Sequence, residues 1–186
     1  MEKKITKIAI FDFDQTLVES PIPETGKIIY KEKTGNDYPH IGWWSKSDSL
    51  NTEIFDIPLI QSVKEAYDKV SLEVNTFKIL LTGRINKLSK EVESILEYHG
   101  LIFDSYHYNS GGATEIFKMK VMDELLIKFP DVTEMANTSA RIFVTVALRL
   151  CSRLCEFRRR TRFMRLIRLS ISELAYSSFP RRVSKS

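Results

Sequence analysis

Apolar residues fall into three short continuous runs, separated by longer stretches in which they recur every three or four positions. Ile8 to Phe11 and Phe77 to Leu81 are runs bounded by polar or charged residues, and "LIFDSYHY" (Leu101–Tyr108) is a third, looser one. Runs of this length bounded by turn signals predict buried strands. The second strand is expected to stop at a turn beginning with Thr82 and Gly83. Between the runs, Ile60, Val63, Tyr67 and Val70 share one helical face, with Pro58 suited to the first turn. Leu88, Val92, Ile95 and Leu96 share another, and Gly100 supplies a stop. Ile116, Met119 or Lys120, Met122, Leu125, Leu126 and Phe129 make a third helix that ends before Pro130. Strand and helix alternate three times, which predicts a parallel sheet covered by helices.

Residues 18–56 interrupt this rhythm. Pro21, Pro23, Gly26, Gly35, Pro39 and Gly42 make the segment rich in turn signals, and it is too long for a simple connection. It reads as an inserted cap or lid. Trp43 and Trp44 are expected to anchor it by packing, with stacking on a nucleobase as the alternative.

The 186 residues, 43% hydrophobic and 28% charged, suit one globular domain with a small insert. No apolar run approaches the roughly 18 residues of a membrane span, and the basic and then apolar start meets Asp12 too early for a secretory signal. These features predict a cytoplasmic protein. Cys151 and Cys155 have no Cys or His partner nearby in the sequence and suggest neither a disulfide framework nor a zinc site.

Charge changes the picture near Met135. Residues 1–135 hold 16 Lys and Arg against 22 Asp and Glu, whereas residues 136–186 hold 12 against 2. Arg84 is the one arginine of the first part; the second has 11 and a single lysine, Lys185, and it contains neither Gly nor Asp.

The chemistry begins with the strand that ends in Asp12 and Asp14. An unpaired carboxylate is costly in a strand interior, so both acids should reach water or bind something. Ligands of open parallel sheets sit beyond the carboxyl ends of the strands. Asp12, Asp14, Thr82 and Lys118 all fall at that edge. Two acids, a hydroxyl and an ammonium suit phosphoryl transfer through a carboxylate nucleophile, aided by Mg²⁺.

"DFDQT", "ILLTGR" and "TEIFKMK" (Asp12–Thr16, Ile79–Arg84 and Thr114–Lys120) resemble, in order, the first three motifs of the haloacid dehalogenase superfamily. "GWW" in the insert and the Phe-Lys pair narrow the resemblance to the corresponding domain of Swiss Army Knife RNA repair-like proteins, over about residues 5–135. The resemblance implies a Rossmann-like three-layer α/β fold with a small cap, and a Mg²⁺-dependent phosphohydrolase acting on nucleic-acid ends or nucleotides. It makes Asp12 the nucleophile and a metal ligand, and Asp14 the general acid/base with a main-chain metal ligand. Thr82, Gly83 and Lys118 become phosphate binders. Lys120 is the rival for the lysine role. Arg84 is either a contact to substrate phosphate or an exposed residue at a helix start. His40, His99 and His107 are expected to be structural or solvent-facing.

A fourth, acidic motif should close the next strand. No acid occurs between Glu134 and Glu156, so the third metal carboxylate is missing and an edge of the sheet is expected to be bare. The Arg-rich segment admits three readings. It is a basic amphipathic helix (Phe143, Ala147, Leu150, Leu154, Phe157) that binds RNA, a segment drawn to an anionic membrane surface, or a stretch translated out of the ancestral frame. The abrupt Lys-to-Arg switch favours the last. Codons for residues 136–141, read one base earlier, can encode Gly-Glu-Tyr-Glu-Arg. The alternative to an enzyme is then a catalytically impaired derivative that binds RNA through residues 141–168.

Overall fold

The computed structural model describes residues 4–137. The Arg-rich segment, with its expected helix and RNA contact, lies outside the described residues. Four strands, β1 (Lys7–Phe11), β2 (Thr76–Ile85), β3 (Ser105–Asn109) and β4 (Glu134–Asn137), form one sheet in the order β3-β2-β1-β4. Every pairing is parallel. Helices α2 (Gln61–Ser71), α3 (Ser89–Tyr98) and α4 (Thr114–Lys128) supply the expected crossovers.

Strand alternation divides the core into two layers. Ile8 and Ile10 pair with Phe77 and Ile79, and this face packs on Val121, Met122 and Leu125 of α4. Ala9, Phe11 and Leu80 face the other way, onto Tyr67 of α2 and Val92, Ile95 and Leu96 of α3. Both faces of the parallel sheet are therefore covered, which is why its inner strands read as continuous apolar runs.

Several boundaries differ from the sequence expectation, each for a physical reason. Strand β2 does not turn at Thr82-Gly83. It continues to Ile85 through an irregularity in its pairing with β3, where Thr82 opposes Tyr108 and Ile85 opposes Asn109. Pro58 precedes α2 rather than opening it. The Pro58 carbonyl accepts from Glu19 N–H (2.9 Å), and Ile60 N–H donates to the Leu17 carbonyl (2.9 Å). These bonds close the neck of the insert.

Within the insert, a 12-residue helix, α1 (Pro23–Thr34), occupies a segment expected to be turns. Gly26 lies inside it, where a Cβ would meet the Trp43 ring at 2.2 Å. That glycine serves close packing, whereas Gly35 at φ 74° ends the helix. Trp43 is buried, its indole N–H donating to the Pro21 carbonyl (2.8 Å), and Leu50, Phe55 and Ile57 join it in the core. The packing role expected of Trp43 holds; Trp44 is 40% exposed.

The expectation of a bare edge beside β1 is corrected. Glu134, Met135, Ala136 and Asn137 pair in register with Lys7, Ile8, Ala9 and Ile10. The strand crosses the point at which the composition changes, because ladder pairing requires extended backbone rather than a particular side chain.

Candidate active site

Asp12 and Asp14 follow β1, as the position of the apolar run requires. Asp12 Oδ1 accepts from the Phe13 N–H (2.9 Å) and Oδ2 from the Lys118 ammonium (2.7 Å). Lys118 lies on the first turns of α4 and is only 4% exposed. Lys120, its rival, projects outward toward Glu124 (3.8 Å) with a 76% exposed side chain. The two lysines differ in helix face: Lys118 turns inward with Val121, Met122 and Leu125, while Ile116, expected on the buried face, is exposed. Burial pushes the Asp12 carboxyl above the usual carboxylate range; Lys118 and the Phe13 N–H oppose this, and the neighbouring Asp14 charge adds to it.

Asp14 is held by a different cation. The Arg84 guanidinium grips it through Nε (3.1 Å to Oδ1, 2.9 Å to Oδ2) and Nη2 (2.7 Å to Oδ1), and the Ser20 hydroxyl donates to Oδ1 (2.7 Å). The expectation of an exposed Arg84 at a helix start is corrected: it is 1% exposed and belongs to β2. Its Nη1 donates to the Trp44 carbonyl (3.0 Å) and the Ser49 hydroxyl (2.6 Å), both in the insert. Nothing in the hydrophobic pattern signals this clamp, because residues Ser20, Ser49 and Arg84 meet only through the sheet and the insert. The one clue is that Arg84 is the single arginine among 15 lysines in residues 1–135. Guanidinium provides the planar, two-toothed grip on a carboxylate that an ammonium lacks.

Thr82 is fully buried beside these groups on β2, and its hydroxyl accepts from the Arg84 N–H (3.1 Å). Gly83 permits the close approach of β2 and α4: a Cβ there would stand 2.9 Å from Thr114 Cγ2. The loop carrying the two acids includes Gln15 at φ 53°, a left-handed conformation uncommon for a side-chain-bearing residue, and its amide donates to the Ser20 carbonyl. The histidines stay out of this cluster. His40 pairs with Asp48 (3.0 Å), His99 Nε2 donates to the Ile57 carbonyl (2.9 Å), and His107 meets the Ser105 hydroxyl (2.8 Å).

Donor chemistry decides whether these residues suit a divalent cation. Both acids present hard oxygens, and the Phe13 N–H and the Lys118 ammonium leave lone pairs on the Asp12 carboxylate. One or two carboxylates completed by water and substrate oxygens are a fitting set for Mg²⁺. Among the described residues, no group of three His, Cys, Asp or Glu side chains comes together.

No family model matches the chain. Among curated proteins it is similar to the uncharacterized protein YMR265C of Saccharomyces cerevisiae, 25% identical over 169 residues. That likeness covers 76% of this chain but 36% of the yeast protein, so the chain spans little more than a third of this relative's length. Among solved structures it is similar to the hydrolase, haloacid dehalogenase-like family protein SP0104 from Streptococcus pneumoniae. The TM-score is 0.42 and the identity 18%, over 72% of this chain and 76% of that one.

Proposed function

We propose that the chain is a Mg²⁺-dependent phosphohydrolase that works through an aspartyl-phosphate, acting on nucleotides or nucleic-acid ends as the motif resemblance implies. The observation that carries this reading is the Asp12–Lys118 pair (2.7 Å) beside a separately clamped Asp14 at the carboxyl ends of β1 and β2. A purely structural ion pair would not need a second, partly exposed carboxylate two residues away.

Asp12 attacks the phosphorus of a phosphate monoester, forming an acyl-phosphate bond as the bond to the ester oxygen breaks. The Asp14 carboxyl gives its proton to the departing oxygen. Oδ2 is the natural carrier, since Oδ1 accepts from Ser20 and twice from Arg84, whereas Oδ2 accepts only from Arg84 Nε. In the second half Asp14 takes a proton from water, the resulting hydroxide attacks phosphorus, and the Asp12 carboxylate is released with inorganic phosphate. Lys118 and Thr82, at the Gly83 approach, hold the phosphoryl oxygens and balance their charge. The Asp12 carboxylate and the Asp14 main-chain carbonyl would hold Mg²⁺, which would screen the repulsion between carboxylate and phosphate.

The test is hydrolysis of 4-nitrophenyl phosphate by the full chain, with and without Mg²⁺, alongside Asp12→Asn. Metal-dependent turnover that vanishes in the variant is expected. Equal turnover by parent and variant would remove the mechanism. An inactive parent that binds RNA with steep salt dependence would favour the second reading, an impaired derivative that binds through residues 141–168. The missing third acid among the described residues is what keeps that reading in view.

A further inference from the structure

We propose that Arg84 is a positioning residue through which the insert sets the orientation of Asp14; this rests on the general acid/base role just given. The guanidinium has two working edges. Nε and Nη2 face the Asp14 carboxylate, while Nη1 donates to the Trp44 carbonyl and the Ser49 hydroxyl. The Trp44 ring lies against the same group, its centroid 5.0 Å from the guanidinium carbon. Arg84 is only 1% exposed, so bulk solvent has little access to the guanidinium. The planar group therefore acts as a rigid link: displacing residues 44–49 of the insert rotates or frees the carboxylate that must meet the leaving oxygen. Ser20 fixes Oδ1 alone, so it cannot by itself set the plane of the carboxylate.

The link predicts a selective defect. Proton donation matters most for a poor leaving group and little for 4-nitrophenolate. Ser49→Ala and Arg84→Lys, in the full chain, are compared on an alkyl phosphate and on 4-nitrophenyl phosphate. Turnover of the alkyl ester is expected to fall about 10-fold or more beyond any fall with the aryl ester, a fraction of the ~10²–10⁴-fold that general acids supply. Inhibition by inorganic phosphate should stay unchanged. Ser49 does not touch Asp14, so Ser49→Ala tests the link even where Arg84→Lys folds poorly. Equal losses on both esters would reduce Arg84 to a structural ion pair and overturn the proposal. A second measurement does not depend on activity: Asp14→Asn should speed amide hydrogen exchange across residues 43–50 relative to the parent. Unchanged exchange there would also overturn it. A parent inactive on both esters would instead count against the phosphohydrolase reading, leaving the exchange result to judge the link.

Discussion

The Lys118 ammonium on α4 reaches across the sheet edge to within 2.7 Å of Asp12 Oδ2 on the loop after β1, and both side chains are largely withdrawn from water. Such a pair is held in place by mutual need, since neither charge is cheaply left alone in the interior. Lys118→Met is therefore expected to destabilise the fold by about 3–5 kcal/mol and to abolish phosphate ester hydrolysis. The double variant Asp12→Asn, Lys118→Met should be more stable than Lys118→Met alone, because no carboxylate then remains buried without its cation. Chemical denaturation of the two single variants and the double variant measures the coupling.

Burial raises the Asp12 carboxyl above the usual carboxylate range. A nucleophile must be ionised, so turnover should fall as the pH drops and Asp12 takes up its proton. The stability linkage has the opposite sign. The folded state holds this proton more tightly than the unfolded chain. Its stabilising contribution is fully present below the unfolded value and is lost as pH rises through the folded one. Asp12→Asn cannot titrate, and it should remove this component from a plot of stability against pH.

At Gly83 a methyl group would press on Thr114 Cγ2 at 2.9 Å. Gly83→Ala should push the start of α4 away from β2, carry Lys118 with it, and cost about 1–3 kcal/mol through overpacking. Thr114→Ser removes the offending methyl, so the double variant should regain part of both stability and turnover. Thermal unfolding and aryl phosphate hydrolysis read the two effects separately.

Gly26 offers a contrary case within the insert. Alanine in a helix interior normally stabilises relative to glycine by about 1 kcal/mol. Here the added Cβ would stand 2.2 Å from the buried Trp43 ring, so Gly26→Ala should destabilise the protein instead. Gain of stability in denaturant would show that α1 does not rest on Trp43.

Lys120 provides the matched control for Lys118. Its side chain is 76% exposed and pairs loosely with Glu124 at 3.8 Å. Lys120→Ala should leave turnover unchanged and stability within about 0.5 kcal/mol, in contrast to Lys118→Met two residues away.

The layered core was legible wherever one periodicity dominated. Val92, Ile95 and Leu96 repeat at helical spacing and are buried as that spacing predicts. In α4 apolar residues occupy more of the circumference, so periodicity alone misplaced Ile116 and could not choose between Lys118 and Lys120. Segment 23–34 was unreadable for another reason: Gly26 and Pro23 are turn residues by type, and only the bulk of Trp43 above Gly26 explains a glycine in mid-helix.

The chain alone determined that Asp12, Asp14, Thr82 and Lys118 would gather at one edge. Parallel strands linked by helices all end on the same side, and their hydrophobic runs fix where each one ends. It also determined that three helices would cover the parallel sheet. Only the tertiary structure decided how the charges are shared. Asp12 is paired with Lys118, and Asp14 with Arg84 and through it with residues 44 and 49. Ion pairing depends on distance and burial in space, and neither is encoded in spacing along the chain.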